Sequence, residues 1–274
     1  MERQCRREVV TGAFLRRQHR GTKPRGAGTA AALPHADSRP QSSLALSPAV
    51  IMLNAQADQS TTQKLSISNL TPTTFEFTLE AMDVAVRDGK RVFVTAGELT
   101  GSIAGTAIFS PATLRVPPGA SSTVTITVTV PAHPATRAIV AIFHSKTAMQ
   151  GTGGVAMSAS MGTLLTFTLT KSFLLKSSGV HFEGTSEGAE LVISEGVLNA
   201  GEEPVVARGV VAILRSSGSL VGKVPLEGGR LLPGEVLQFK TEYPSTLQAG
   251  KYRALISLEH EGGVLTTASE FEIR

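Results

Sequence analysis

The chain has 274 residues, 41% of them hydrophobic and 18% charged, which is enough apolar content for the cores of two ordinary domains and too much for wholesale disorder. Its formal net charge of +4 is uneven: residues 1–40 hold nine Lys/Arg against three Asp/Glu, so the rest of the chain carries a net −2. That body has no surplus cation to neutralise a phosphate backbone, which argues against nucleic acid as its partner, and no run of 18 apolar residues occurs, so no membrane span is expected.

Residues 1–43 read as a disordered basic tail or a mis-assigned leader. The best apolar run, Val9 to Leu15, is broken by Thr11 and Gly12 and falls short of an export signal. The single cysteine, Cys5, lies here, so no intramolecular disulfide is possible.

From Leu44 the pattern is strand after strand. "LALSPAVIML" reads as a first strand with Pro48 at a bulge or edge. "TQKLSISNL" and "TTFEFTLEAM" alternate apolar and polar residues, as a half-buried strand must. "VAVRDGKRVFV" is a hairpin around Asp88-Gly89, a two-residue turn signal. "AIFSPATLRV" follows, then "PPGASSTVTITVTVP". In that stretch Val124, Ile126, Val128 and Val130 should face a core and Thr123, Thr125, Thr127 and Thr129 water. "RAIVAIFHS" and "GTLLTFTLT" close the first region.

"KSFLLKSSG" leads into a second region of similar pattern. Asn199-Ala200-Gly201 and Ser217-Gly218 mark turns between its strands, and the Leu-x-Pro-Gly of Leu231 to Gly234 repeats the leucine and Pro-Gly turn of Leu114 to Gly119. In "LQAGKYRA" Tyr252 has the position of a tyrosine corner, its hydroxyl bonding back to upstream backbone, with Ala254 where antibody domains place a cysteine. The fold class is therefore all-β: two tandem immunoglobulin-like Greek-key β-sandwiches, residues 44–172 and 173–274, behind the basic tail.

Chemistry-bearing patterns are sparse. None of His19, His35, His133, His144, His181 and His260 has metal-ligand spacing to another ligand type. His260, between Glu259 and Glu261, reads as a solvated turn, and "GTGG" at 151–154 lacks the continuation of a phosphate loop. Glu202-Glu203 reads as turn solvation rather than an acid/base pair. No catalytic, cofactor-binding or metal-ligating residue is assigned, no cofactor is expected, and the chain is not read as an enzyme.

The order "LALSPAVIML", "QKLSISNLTPTTFEFTLEAMD", "FSPATLRVPPGASSTVTITV", "RAIVAIFHSK", "GTLLTFTLT" resembles the N-terminal domain of periplasmic pilus chaperones. Over residues 44–274 the chain is still more similar to bacterial two-domain cell-surface proteins associated with WxL-type wall proteins. The second-domain motifs that carry this are Asn199-Ala200-Gly201, Leu231 to Gly234, Leu247 to Tyr252 and Phe271-Glu272-Ile273. Pilus chaperones hold a subunit's C-terminal carboxylate with an arginine in the first strand and a lysine near the last strand of the first domain. Here the first strand has Pro48 and no arginine, and "GTLLTFTLT" has no lysine. The wall-associated family continues into a membrane anchor, whereas this chain stops at Arg274 and anchoring by that route is not expected. The resemblance implies a non-catalytic, extracytoplasmic binding or scaffold protein, in the periplasm or at the cell surface. Its expected partner is an envelope protein or a cell-wall glycan. The alternative it implies is a periplasmic pilus-type assembly chaperone lacking the usual cationic anchors.

Overall fold

A computed structural model of the chain describes residues 43–150 and 156–274. The expectations for residues 1–42 and for the "GTGG" loop fall outside these. Among the described residues every element longer than one turn is a strand.

The first sandwich holds β1 (Leu44–Ser47), β2 (Val50–Asn54), β3 (Ser60–Asn69), β4 (Phe75–Arg87), β5 (Lys90–Thr95), β6 (Ile108–Ser110), β7 (Thr113–Val116), β8 (Ser121–Thr129), β9 (Ala138–Gln150) and β10 (Ala156–Thr168). One sheet has the order β1-β3-β8-β6; the other runs β2-β10-β9-β4-β5, with β7 against the start of β4. The two sheets close on Phe75, Phe77, Phe143 and Phe167 from one side and Leu65, Ile67, Val124 and Ile126 from the other. Val124, Ile126, Val128 and Val130 are all 0% exposed, so the alternation in β8 assigns its faces as expected. Burying side chains of this size stabilises by roughly 1.5–3 kcal/mol each before the entropy of ordering them is subtracted.

Two stretches that read as single strands are each divided between the sheets. "LALSPAVIML" forms β1 in one sheet and β2 in the other, and "AIFSPATLRV" likewise forms β6 and β7. Pro48 and Pro111, both after cis peptide bonds, sit at the crossings. A proline has no N–H to give a ladder, so each is placed where pairing with one sheet ends and pairing with the other begins. The Asp88-Gly89 turn is as expected, with both residues at positive φ (51° and 73°) between β4 and β5.

The second sandwich holds β11 (Leu175–Glu183), β12 (Val192–Asn199), β13 (Val205–Arg215), β14 (Leu220–Leu231), β15 (Val236–Glu242), β16 (Gly250–His260) and β17 (Gly263–Ile273). Its sheets are β11-β12-β15 and β14-β13-β16-β17, closed on a core that includes Ile193, Val211, Ile213, Phe239 and Ile256. The Tyr252 hydroxyl donates to the Gln248 carbonyl at 2.9 Å, and Ala254 is fully buried beside it, which makes the tyrosine corner.

The sandwiches touch through an apolar patch and two charged clamps. Leu232 packs on Val84, Ala138 and Val140, which lie on the outer face of the β9-β4 sheet. On one side the Arg91 guanidinium makes paired bonds to the Glu235 carboxylate, 2.8 and 3.0 Å, and the Val236 N–H donates to the Gly89 carbonyl. On the other, Glu203 accepts from the Leu169 and Thr170 N–H groups, both 3.0 Å, and from the Thr170 hydroxyl, with Arg137 at 3.5 Å. Glu203 is 0% exposed, which corrects its reading as turn solvation: its carboxylate ties the end of β10 to the second sandwich.

Candidate functional site

Strand β10 lies inside its sheet, yet its hydrogen-bonding capacity is only partly used. One edge pairs with β9 from Ala156 to Thr166. The other pairs with β2 only over Leu164–Thr168, so the outward edge of β10 from Ala156 to Thr163 has no partner strand among the described residues. The Leu164 N–H points outward, donating to the Ala49 carbonyl at 3.0 Å. By the two-residue alternation of a strand, the N–H groups of Gly162 and Ser160 face the same open side. The register against β9 shifts between Ser158 and Ser160, a bulge next to that edge.

The sheet face flanking the edge is apolar. Half-buried Met82, Ile142 and Leu164 pack around buried Val140, with Leu232 at one end. Gly162 adds to the opening: a Cβ there would lie 2.9 Å from a Val140 methyl, and without it β10 leaves the surface low over Val140. Beyond Leu164 the surface continues as a groove of about 750 Å³ between the sandwiches, floored by Leu164, Leu237 and Phe239 and bordered by Lys90, Arg230 and Lys240, with Glu227 on the same border. The strands β1, β2 and β10 contain no Lys or Arg, so the cationic pair of the pilus chaperones has no counterpart there.

Higher on the same face three polar side chains meet that sequence spacing did not bring together. His144 Nε2 lies 2.6 Å from Glu80 Oε1, and its Nδ1 lies 3.0 Å from Ser160 Oγ. The only signal in the sequence is their parity on three strands whose pairing is decided in the fold. The ring is reversed relative to a Ser-His-Asp triad, where the carboxylate holds Nδ1 and the nucleophile faces Nε2. His144 and Glu80 are 43% and 52% exposed, so water competes for both bonds. The cluster laces β4, β9 and β10 together beside the open edge.

Among the described residues the other histidines form no site. His260 accepts from the Gly262 N–H at 3.0 Å and sits at a hairpin end. Its pKa is lowered by partial burial, against which the Glu261 charge acts to raise it. Among the described residues no group of three or more His, Cys, Asp and Glu is placed to hold a metal ion.

No protein-family model matches the chain, and no curated protein matches it. Solved structures do resemble it. A class 5 fimbriae chaperone, CfaA, aligns with 83% of this chain and 99% of its own at 11% identity and a TM-score of 0.44. The E. coli chaperone DraB aligns with 85% and 98% at 16% identity and a TM-score of 0.41. A PapD-like domain of human CEP192 aligns with 54% and 98% at 13% identity and a TM-score of 0.32. These are distant likenesses, and the assignment of two immunoglobulin-like sandwiches stands on the strand order and pairing above.

Proposed function

We propose that this protein is a non-catalytic, chaperone-like binding protein of the cell envelope that holds an extended segment of another envelope protein along β10. The observation that carries the proposal is the unpaired outward edge of Ala156 to Thr163 beside a half-buried apolar face. Unpaired N–H and C=O groups in a row are a template for a further strand, and exposed edges of this kind are normally blunted by charge or proline. Residues 158–163 carry neither. Main-chain bonds give affinity for any extended segment; the face of Met82, Val140, Ile142 and Leu164 selects one with alternate apolar side chains.

The extracytoplasmic location, and a WxL-type wall protein as a source of the segment, rest on the sequence resemblance and belong to this proposal. So does the division at residue 172. A glycan has no ladder of peptide groups to offer this edge, so strand addition concerns a protein partner only.

The test uses the full chain and synthetic segments from envelope subunits, pilin-like and WxL-type, with alternating apolar residues. Ser160→Pro removes an outward donor and leaves the β9 side of the ladder intact. Segment binding is expected for the wild type and for Ser160→Ala, and lost for Ser160→Pro. Equal binding by the proline variant rejects the edge as the site.

A further inference from the structure

The open edge of β10 leads into the groove between the sandwiches, and that groove has a chemistry of its own. β2 starts at Val50, which stands beside Leu164 in the parallel pairing, and the Leu164 N–H donates to the Ala49 carbonyl. The slot beside β10 is therefore closed from Leu164 onward, and a segment paired along Ala156 to Thr163 has to leave the sheet at that point. The inner face offers no exit, because Leu165 and Phe167 are fully buried in the first core. The outer face does. Val50 and Leu164 both line the groove of about 750 Å³, a size within the roughly 300–1,000 Å³ of ligand-binding clefts.

Gly228 and Gly229 of β14 form one wall without side chains, and Leu237 packs so close to it that a Cβ on Gly229 would overlap its methyl. The charged lining is Lys90, Arg91, Arg230 and Lys240 against Glu227 and Glu235. Arg91 and Glu235 neutralise each other in the clamp, and the Arg91 guanidinium also donates to the Arg230 carbonyl at 2.6 Å. Three cations then face one carboxylate, Glu227. Lys90 belongs to β5 and Lys240 to β15, so each sandwich contributes one ammonium group. Among the described residues neither lysine makes an ion pair. Like charges along a cleft with apolar walls reinforce one another's field and attract an anion. Three cations are too few to track a nucleic-acid backbone, and the groove opens from the end of the β10 edge, so the anion is best supplied by the segment bound there.

We infer that the groove receives an acidic stretch, Asp or Glu side chains, next to the apolar segment held along β10. The inference rests on the strand-addition reading above and adds to it the chemistry of the partner: alternating apolar residues, then carboxylates within the next few positions. Aliphatic parts of the stretch lie on Leu164 and Leu237, and its carboxylates reach Lys90 and Lys240. Glu227 opposes the same carboxylates and weakens the site. Strand direction decides which end of the segment carries the acids. A segment parallel to β10 brings its C-terminal end to Leu164, and an antiparallel one its N-terminal end.

The probes are synthetic segments of alternating Val and Thr, extended at either end by three Glu or by three Gln, acetylated and amidated so that only side chains carry charge. Binding to the full-length chain is measured by calorimetry at low and high salt. The Glu extension at one end is expected to tighten binding at least about fivefold over Gln, since two or three partly exposed charge pairs act together, and salt should shrink that difference. The double variant Lys90→Gln, Lys240→Gln, whose thermal melt confirms folding, should abolish the preference while binding the Gln probe as the wild type does. Glu227→Gln should enlarge it. Ser160→Pro should lose both probes. Equal affinity for Glu and Gln probes at both ends, or a preference unchanged in the double lysine variant, overturns the groove inference and leaves the β10 edge standing. A Glu preference that survives in Ser160→Pro places the acids in the groove and rejects the edge. Binding of neither probe by the wild type overturns both.

Discussion

Asn69 and Asn199 occupy equivalent positions in the two sandwiches and make the same set of bonds. The Asn69 amide donates to the Thr73 and Val116 carbonyls at 2.7 and 3.0 Å; that of Asn199 donates to the Glu203 and Leu231 carbonyls at 2.8 and 3.1 Å. Each Oδ1 accepts from the N–H two residues on, of Thr71 and Gly201, at 3.0 Å. Each backbone carbonyl accepts from the glycine of a Pro-Gly turn, Gly119 at 2.7 Å and Gly234 at 2.8 Å. Both side chains are fully buried. The Pro-Gly turns of Leu114 to Gly119 and Leu231 to Gly234 thus mark a repeated joint, in which one asparagine locks a strand end to the turn that precedes its neighbour.

Asn69→Asp and Asn199→Asp are nearly isosteric, yet a carboxylate cannot donate to the two carbonyls. Leaving a buried polar group unsatisfied costs about 1–3 kcal/mol, so each substitution should lower stability by at least about 2 kcal/mol. Urea denaturation checks this. Equal stability of wild type and variants would show that the amide bonds are dispensable.

Tyr252→Phe removes the bond to the Gln248 carbonyl and keeps the ring stacked on Phe271, 5.6 Å away between centroids. A loss of about 1 kcal/mol is expected, the net worth of one hydrogen bond. A thermal melt reads it, and an unchanged melt rejects the corner.

Ile126→Ala should cost about 2–5 kcal/mol, because it empties a fully buried site. Thr127→Ala, one residue along and on the hydroxyl face, should cost no more than about 1 kcal/mol. Similar costs for the two would mean that both faces of β8 are buried in solution.

Glu195 is 1% exposed on β12, and among the described residues neither of its carboxyl oxygens has a hydrogen-bond partner. It stands between Ile193 and Val197 on the same side of the strand, inside the second core. Replacing an unpartnered buried carboxyl group with an apolar side chain of similar volume should stabilise, by about 1–4 kcal/mol on the pattern of buried polar replacements. Glu195→Leu is therefore expected to melt higher than the wild type; a lower melting temperature would reveal a partner for the carboxylate.

Glu203→Gln keeps the shape of the clamp at the end of β10 but removes the charge facing Arg137, itself only 18% exposed. Breaking a buried pair from one side costs on the order of 3 kcal/mol. Small-angle scattering should then show a wider range of angles between the sandwiches, whereas an unchanged profile would mean that the Arg91 to Glu235 clamp and Leu232 suffice.

The sequence by itself determined where most strands run and, in strands such as β8, which face is buried. Val124 to Val130, Phe75 to Leu79 and Tyr252 could be placed from alternation and turn chemistry alone, because those signals are local: side chains two apart share a face wherever the strand later pairs. It also showed that catalytic spacing is absent along the chain. Neighbours were another matter. That β2 lies parallel to β10, and covers only part of it, is set by a crossing at Pro48 more than a hundred residues away from its partner. The candidate site, the open stretch of β10, exists only because β2 stops covering it. Glu203 looked like any glutamate in a turn until the fold brought Leu169, Thr170 and Arg137 around it. The same holds for His144 between Glu80 and Ser160, and for the bonded hydroxyls of Ser60 and Thr129, 69 residues apart. Alternation records which way a side chain points relative to its own strand. Which strand lies alongside is decided by how two whole sheets close on one core, a choice that depends on every strand at once and leaves no trace in the local pattern of any one.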